Sequence, residues 1–332
     1  MLLFASSRPD PLLLLLAALA LDMVVGDLPE LFRFVPHPVA LVGRAIGWLD
    51  RRLNRERRSP RVRRMRGILA VAALVLAAAS LGFALAVALR ALRFGWAVEL
   101  ALVTVLLAQR SLFEHVAAVG SALAQGGIVR GREAVRHIVG RDPQSLDEHG
   151  VARAAIESLA ENFSDGVVAP ALCYALFGLP GLFVYKTANT LDSMIGHRTP
   201  RHLQFGWAAA RLDDLLNLVP ARLSGLLLAA AALAAPEAHM LPAFRIMLRD
   251  AGKHRSPNAG WPEAATAGAL DLALAGPRRY HGEVVNDPWL GDGRARATIA
   301  DIARALRLYV IACILQATLV LAAFLLVHGV RF

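Results

Sequence analysis

The chain has 332 residues, of which 56% are hydrophobic and 19% are charged, and its formal net charge is +10. Its mean hydropathy is +0.49. An apolar excess of this size, with several long uncharged runs, is typical of an integral membrane protein and argues against an ordinary soluble domain. The two cysteines, Cys173 and Cys313, lie in apolar stretches without CxxC spacing. We therefore expect buried thiols, and the spacing supports neither a disulfide nor a zinc site.

Six apolar segments follow one another along the chain. The weaker ones are Pro11–Val25, Trp96–Leu107 and Val167–Tyr185, and the clearest ones are Gly67–Leu89, Leu215–Ala235 and Leu306–Val327. Proline and glycine interrupt Val167–Tyr185, which predicts a broken or re-entrant segment there. We predict an all-α polytopic membrane protein with about 4–6 membrane helices and helical polar insertions. No internal repeat divides it, so residues 1–332 are expected to form a single membrane domain.

The N-terminal apolar run is expected to stay in the protein. The run follows Arg8, but Asp10 precedes it and Asp22 lies within its continuation. These acidic residues argue against a cleaved signal peptide.

An arginine-rich segment precedes the first clear span. Residues 51–66 hold nine arginines and one glutamate. Such a loop is usually cytoplasmic, because positively charged loops stay on the inner side of the membrane. Nucleic-acid binding is the alternative, but no interleaved aromatic residues or recognition module accompany the run. We therefore predict a topology signal and no nucleic-acid partner.

Two polar insertions are predicted at about 108–165 and 236–301. The first has amphipathic helical patterns, and Ser145 or Asp147 is expected to cap its second helix. The second is rich in glycine and proline and predicts ordered loops with short helices. If residues 51–66 are cytoplasmic, the side on which residues 186–211 lie depends on whether Val167–Tyr185 crosses the membrane fully. The sequence leaves both arrangements open.

Polar clusters bracket the interrupted segment Val167–Tyr185. Before it, Glu157, Glu161 and Asp165 are spaced i, i+4 and i+8, on one helix face. Like charges stacked in this way repel, so a stripe at a membrane entrance calls for a metal ion or cationic side chains.

Beyond the segment, the spacing of Lys186, Asn189 and Asp192 also predicts one helix face. A further group, Arg211, Asp213, Asp214 and Asn217, precedes the next span, and Asp22, Gly26-Asp27 and His37-Pro38 lie near the N-terminus. Carboxylate and amide oxygens suit Mg²⁺ when substrate phosphates complete its shell, and lysine or arginine would neutralise those phosphates. Structural alternatives are that Asp213 or Asp214 caps the next helix and that Arg211–Asp214 is a simple ion pair. The chain contains no HExxH, GxxxxGK[ST] or GxGxxG pattern.

Several of these stretches together resemble the CobD/CbiB family. They are ESLAENFSDGVVAP (157–170), YKTANTLDSMIG (185–196), FGWAAARLDDLLNLVPARL (205–223) and HRSPNAGWPEAATAG (254–268). Gly26-Asp27 and His37-Pro38-Val39 resemble the N-terminal GDP…HPV element of the family, except that Leu28 separates Asp27 from Pro29. The likeness runs in order from about Leu21 to Tyr280, and several long motifs in order are far more specific than one short pattern.

Members of this family are adenosylcobinamide-phosphate synthases, membrane enzymes of cobalamin biosynthesis. The resemblance implies an ATP-dependent amide ligation with Mg²⁺, in which adenosylcobyric acid is joined to (R)-1-amino-2-propanol or its O-phosphate. It also implies a multi-pass protein of the bacterial inner membrane with a cytoplasmic active site, in contact with membrane lipid. Other enzymes of the pathway are candidate partners at the arginine-rich loop.

The resemblance also implies a set of site residues, whose roles we assign by charge type. The expected Mg²⁺ ligands are Glu161, Asp165, Asp192 and Asp214. The expected catalytic residues are Lys186, Asp192, Arg211 and His254; Lys186 and Arg211 would contact phosphate or carboxylate, and His254 would take the proton of the attacking ammonium. The expected substrate-binding residues are Asn162, Asn189, Asn258, Asp27 and His37.

Two other classes of protein stay open. A Mg²⁺-dependent membrane phosphoalcohol or prenyl transferase would also pair carboxylates with a phosphorylated substrate, but the carboxylates here do not form the DxxxD ladders of that class. A membrane signalling protein of the AmpE-like branch would not need ENFSDG, NTLDSM, RLDD and SPNAG together. The joint presence of these motifs favours the ligase.

Overall fold

A computed structural model describes residues 9–26, 32, 36–138, 143–280 and 283–329. Most of these residues are helical, which confirms the all-α prediction. The helices are α1 (Pro11–Val25), α2 (Pro38–Leu53), α3 (Pro60–Ala91), α4 (Gly95–Leu106), α5 (Gln109–Val135), α6 (Glu148–Phe163), α7 (Ala169–Leu191), α8 (Trp207–Leu216), α9 (Leu218–Ala231), α10 (Met240–Asp250), α11 (Gly260–Leu270) and α12 (Ile299–His328).

Shorter elements connect the helices. Ser164–Val168 and Asp192–Gly196 are π-helical, and Pro143–Ser145 and Ala251–Lys253 are 3₁₀ turns. Two small antiparallel ladders join β1 (Leu274–Ala275) to β4 (Trp289–Leu290) and β2 (Arg278–Tyr280) to β3 (Glu283–Val285). These ladders are an addition to the loops and short helices predicted for residues 236–301.

Four helical segments in the described ranges are long and apolar enough to cross a membrane: Pro60–Ala91, Gly95–Val135, Glu148–Gly196 and Ile299–His328. The pair Trp207–Leu216 and Leu218–Ala231 makes a fifth if it counts as one span, so the predicted number of spans is confirmed. The expected continuous span Leu215–Ala235 is instead broken at Asn217. Only 17% of the apolar window of α3 is buried within the protein, as expected of a helix that faces lipid.

The described residues divide into two compact units. The first lies within residues 1–107, 169–216 and 320–332, and the second lies within residues 108–168 and 217–319. In the first unit, α3 packs closely on α7, because a Cβ at Gly82 would lie only 2.7 Å from the Cα of Pro180. Helix α7 is kinked at Gly178, where φ is +62°. Pro180 follows two residues later and lacks a backbone N–H, so the two residues account for the predicted break.

In the second unit, Asp147 caps α6 by accepting a hydrogen bond from the N–H of Gly150 at 2.7 Å, as one of the two predicted caps. The ring of Phe163 meets that of Tyr309 in α12 edge-on at 5.5 Å. The Tyr309 hydroxyl donates to the carbonyl of Gln109 at the start of α5. These contacts tie the end of α6 to α5 and α12, and therefore position the ENFSDG stretch.

Candidate active site

The first unit brings two of the motif stretches together at the end of α7. Asn189 donates from Nδ2 to Oδ1 of Asp213 at 3.4 Å, which links YKTANTLDSMIG to the RLDD stretch of α8. Asp213 is buried and Asn189 is partly buried. Because a buried carboxylate needs hydrogen-bond donors, this contact fixes the Asn189 amide. Asp213 lies next to the expected ligand Asp214 in the sequence, but its contact with Asn189 depends on the fold.

The neighbouring Arg211 and Asp214 form the ion pair that was one of the structural alternatives. Arg211 Nη1 lies 3.1 Å from Asp214 Oδ2, and the Arg211 side chain is 57% exposed. Both aspartates lie inside α8 rather than at the start of α9, and the N-cap residue of α9, Asn217, makes no side-chain capping bond. The alternative in which Asp213 or Asp214 caps the next helix is therefore wrong.

Asp192 begins the π-helical segment Asp192–Gly196, and its carboxylate lies directly against Gly196. A Cβ at Gly196 would be 1.8 Å from Asp192 Oδ1, and one at Gly206 would be 1.6 Å from the carbonyl oxygen of Ile195. Two glycines thus make room for the carboxylate and for the backbone behind it. Short π-helical turns are frequent at functional sites, because they change the direction of the side chains that follow.

Lys186 opens into a cleft of about 290 Å³ that Pro38 and Val39 of α2 also line. Thr190, one turn after Lys186, lies in the same wall, and most of the other lining residues are apolar. His37 caps α2, since its Nδ1 accepts the N–H of Val39 at 3.2 Å. The cleft therefore joins the HPV element to the YKTANT stretch. Asp27, the other residue expected from this element, lies outside the described residues.

In the second unit, the acidic stripe predicted before Val167 is not uniform. Glu157 is only 5% exposed, and its Oε1 accepts the N–H of Ala275 in β1 at 2.8 Å. Glu161 is exposed, and Asp165 lies in the π-helical segment Ser164–Val168, whose wider turns break the i, i+4 register. Glu157 and Glu161 share one face of α6 as predicted, but Glu157 is buried where it holds a strand, and Asp165 falls outside the predicted register.

Asn162 stands beside Glu161 on the exposed part of α6. Its Nδ2 donates to the carbonyl of Ser158 at 2.9 Å and to the Ser158 hydroxyl oxygen at 3.2 Å. The Ser158 hydroxyl in turn donates to the carbonyl of Ile138 at 2.7 Å. Ser158 thus orients the Asn162 amide, a role that its place four residues earlier in the ESLAEN motif could have suggested.

His254 lies in the loop before α11. Its Nδ1 accepts the N–H of Ser256 at 3.0 Å, and its Nε2 is 3.7 Å from Oε1 of the buried Glu263. A neutral imidazole has one donor and one acceptor nitrogen, so this pattern assigns the proton to Nε2, facing Glu263. Accepting a further proton at Nδ1 would break the bond to Ser256. The base role of His254 stays a prediction, and so does substrate binding by Asn258, which is 6% exposed.

A buried carboxylate anchors this loop. Asp250 accepts hydrogen bonds from Arg249 at 2.7 Å and from the N–H of Gly291 at 2.9 Å, and Lys253 Nζ lies 2.6 Å from its Oδ1. Hydrogen bonds from Arg249 hold the pKa of Asp250 well below its ordinary value, and they outweigh the opposing effect of burial. The ionised Asp250 therefore ties the end of α10 and the loop that carries His254 to the chain after β4.

The fit of these residues to Mg²⁺ depends on how many oxygen ligands lie close together. In the part of the chain that the structure describes, no three histidine, cysteine or acidic side chains are grouped closely enough to hold a metal ion. A protein-only cage is therefore absent from those residues. Mg²⁺ at nucleotide sites is usually held by one or two carboxylates together with phosphate oxygens and water. The expected ligands Glu161, Asp165, Asp192 and Asp214 fit only that second arrangement, in pairs or singly.

Fold and clusters together define an α-helical, multi-pass membrane protein whose polar groups gather where its helices break. The chain belongs to the CobD/CbiB family, because the family model described as CobD/Cbib protein matches residues 15–309. It is similar to three proteins named Cobalamin biosynthesis protein CobD. The one from Sinorhizobium sp is 54% identical over 314 residues, covering 94% of this chain and 97% of the relative. The one from Brucella anthropi is 52% identical over 318 residues, covering 95% and 97%. The one from Rhodobacter capsulatus is 48% identical over 299 residues, covering 89% and 92%. No solved structure matches.

Proposed function

We propose that this protein acts in cobalamin biosynthesis as an ATP-dependent amide ligase. It would join (R)-1-amino-2-propanol, or its O-phosphate, to the free propionate carboxylate of adenosylcobyric acid. The hydrogen bond between Asn189 and Asp213 is the observation that carries the proposal, because it joins two family motifs in one amide–carboxylate contact. Family membership and the names of the relatives support the pathway.

The chemistry requires that the carboxylate be activated. An amine does not displace oxide from a carboxylate, so a carboxylate oxygen first attacks the γ-phosphorus of ATP, giving an acyl phosphate and ADP. The amine nitrogen then attacks the carbonyl carbon, the C–O bond to the phosphate breaks, and inorganic phosphate leaves. The proton released by the ammonium passes to a base. Each step has a good leaving group, which the direct reaction lacks.

The residues of the first unit have chemistry suited to this sequence. Lys186 and Arg211 would neutralise phosphate oxygens, and Asn189, fixed by Asp213, would donate to a developing oxyanion. Asp192 would take part in binding Mg²⁺, which on the phosphates of ATP neutralises charge during phosphoryl transfer. In the second unit, Glu161 and Asp165 would offer carboxylate oxygens to Mg²⁺ and Asn162 would bind substrate, and all three are exposed or partly exposed. His254 would accept the proton if its bond to Ser256 opens.

The cleft beside Lys186 suits the small substrate. Its volume of about 290 Å³ is at the low end for ligand pockets, so it matches an amino alcohol and not a whole corrinoid. A single lysine among mostly apolar walls would pair with one anionic group, which favours the O-phosphate as the acceptor. Lys186→Gln should then raise KM for the O-phosphate at least tenfold and leave KM for the free amino alcohol within twofold. Equal changes for both acceptors would remove Lys186 from this role.

The same proposal includes the location of the enzyme. We propose the bacterial inner membrane with the active site on the cytoplasmic side, because ATP is available there and the arginine-rich residues 51–66 favour that side. Docking of other enzymes of the pathway would then also be cytoplasmic.

The test is an assay with the full-length protein purified in detergent. It contains ATP, Mg²⁺, adenosylcobyric acid and either acceptor, and mass spectrometry detects the product and the nucleotide. An amide product with one ADP per turnover supports the ligase and identifies the acceptor. Pyrophosphate or a nucleoside monophosphate would indicate the transferase class. No product from folded protein with either acceptor would remove the proposal and favour a signalling role. Asp192→Asn should abolish turnover without changing the unfolding temperature.

A further inference from the structure

The arginine-rich segment, residues 51–66, exposes most of its positive charge on the protein surface. Of the nine arginines in residues 51–66, seven have exposed side chains, and we name these seven the arginine platform. They are Arg51, Arg52, Arg55, Arg57, Arg58, Arg61 and Arg64. None of the seven forms an ion pair with a carboxylate in the described part of the chain. Their charge is therefore available to an external anion.

The two remaining arginines, Arg63 and Arg66, are partly buried, and Arg63 holds the segment in a fixed shape. Arg63 donates from Nε to Oδ1 of Asn54 at 2.8 Å and also to the carbonyl of Arg201. Asn54 is 2% exposed and donates to Asp50 Oδ1 at 2.8 Å and to the same carbonyl at 3.0 Å. Asp50 Oδ2 lies 2.6 Å from Arg201 Nη2. This network fixes the backbone that carries the arginine platform, which lowers the entropic cost of binding.

The length of α3 places the arginine platform at the depth of lipid phosphates. The apolar part of α3, from Gly67 to Leu89, is about 34 Å long at ~1.5 Å per residue, close to the ~30 Å hydrocarbon core. Measured along the helix axis, Arg64 then lies about 4.5 Å and Arg61 about 9 Å beyond Gly67. The headgroup layer on each side of a bilayer is about 5–8 Å thick. These arginines therefore lie in or just outside that layer.

Two tryptophans indicate the same depth independently. The guanidinium of Arg64 lies 3.8 Å from the centre of the Trp207 ring, and that of Arg52 lies 5.6 Å from the Trp48 ring. Trp48 is 53% exposed and Trp207 is 38% exposed. Exposed tryptophans concentrate at the membrane–water interface, where the ring is half in lipid and half in water.

We propose that the arginine platform is a binding site for the phosphate groups of anionic lipids. Guanidinium groups match phosphate oxygens in geometry and charge, and each basic residue near an anionic membrane surface contributes about a fivefold factor to binding. A topology signal needs only positive charge during insertion. A buried network that fixes the backbone between α2 and α3, with Arg61 and Arg64 at phosphate depth, fits a permanent lipid contact.

The experiment uses the full-length protein in nanodiscs of phosphatidylcholine with increasing phosphatidylglycerol. Native mass spectrometry measures how much phosphatidylglycerol stays bound. The test variant is Arg57→Gln/Arg58→Gln/Arg61→Gln, whose three side chains make no described side-chain contact. The control is Arg90→Gln/Arg93→Gln at the opposite end of α3, where both arginines are also exposed. We expect at least tenfold weaker retention for the test variant and less than a twofold change for the control.

Further arms separate the source of the phosphate and guard against misfolding. Glycerol 3-phosphate at millimolar concentration should not displace the lipid, and raising the salt from 50 to 500 mM should weaken retention. The variant with lysine at the same three positions should keep phosphatidylglycerol within about threefold of the native protein, because the charge is retained. Four results would each overturn the proposal: no preference for phosphatidylglycerol over phosphatidylcholine, equal loss in test and control variants, undiminished retention by the test variant, or tighter binding of an RNA oligonucleotide or soluble phosphate than of the lipid.

Discussion

Gly196 and Asp192 provide a way to displace one carboxylate without removing it. In Gly196→Ala, the new methyl carbon would be 1.8 Å from Asp192 Oδ1. Non-bonded carbon and oxygen atoms approach to about 3.3 Å, so the carboxylate must move by about 1.5 Å. The side chain of Asp192 is only partly buried and Gly196 does not have a positive φ, so the backbone can accept alanine. We therefore expect the fold to survive and the carboxylate to be displaced.

The size of the effect on activity follows from that displacement. A misplacement of about 1 Å of a group at a reacting centre can lower the rate about 100-fold. If Asp192 acts in the ligation, Gly196→Ala should lower kcat about 100-fold, equivalent to roughly 2.7 kcal/mol of transition-state stabilisation. The assay is product formation by mass spectrometry under saturating ATP, with the thermal unfolding midpoint measured in parallel.

Gly252→Ala is the matched control, because a Cβ at Gly252 meets no atom within 4 Å. We expect the control to keep kcat within twofold and both proteins to unfold within a few degrees of the native chain. Gly196→Ala with native turnover would refute the assignment of Asp192 to the mechanism. A large fall in its unfolding temperature would instead refute the argument that the carboxylate alone gives way.

Three further predictions concern stability. Asn189→Asp puts a second carboxylate 3.4 Å from Asp213 and should lower the free energy of unfolding by about 2 kcal/mol, measured by denaturation in detergent. The exchange Asn189→Asp/Asp213→Asn should recover most of that loss. If the two single effects simply add in the double variant, the contact is contradicted. Burial raises the pKa of Asp50, but hydrogen bonds and cationic neighbours outweigh burial, so folding lowers this pKa. The ionised Asp50 therefore stabilises the folded protein above pH ~4, and this contribution is lost as the pH falls through the folded-state pKa. The unfolding midpoint of Asp50→Asn should vary less than that of the native protein between pH 6 and pH 3, and parallel curves would contradict this. Asp250→Asn should lower the free energy of unfolding by about 2 kcal/mol, whereas Asp292→Asn, at a carboxylate 71% exposed, should leave it nearly unchanged. Equal losses would show that burial of Asp250 is not what matters.

The membrane helices could be predicted because their signal is local. The apolar run Gly67–Leu89 lies within α3, and the segment Pro11–Val25 coincides with α1. The break in Val167–Tyr185 could also be predicted, because Gly178 and Pro180 disfavour a regular helix by their own backbone properties. Hydrophobic length and backbone chemistry depend on neighbouring residues, so no knowledge of the tertiary structure is needed.

The positions of the site residues were less predictable, because they depend on contacts distant in sequence. Glu157 and Glu161 are equivalent in a helical pattern, yet Glu157 is buried by β1, more than a hundred residues away. Asp165 lies outside the i, i+4 register because a π-helical turn begins at Ser164, and no residue pattern signals that turn. Asp213 lies inside α8, which continues to Leu216, and the helix boundary at Asn217 had no clear signal in the sequence.

The fate of an oxygen atom tests the proposed ligation most directly. Adenosylcobyric acid with ¹⁸O in its free carboxylate is incubated with the full-length protein, Mg²⁺, ATP and aminopropanol O-phosphate, and the phosphate released is analysed by mass spectrometry. The account predicts that one ¹⁸O atom enters inorganic phosphate for each amide and each ADP formed. With both carboxylate oxygens labelled, one ¹⁸O stays in the amide, so label in AMP, or label released as water while the inorganic phosphate stays unlabelled, would contradict it.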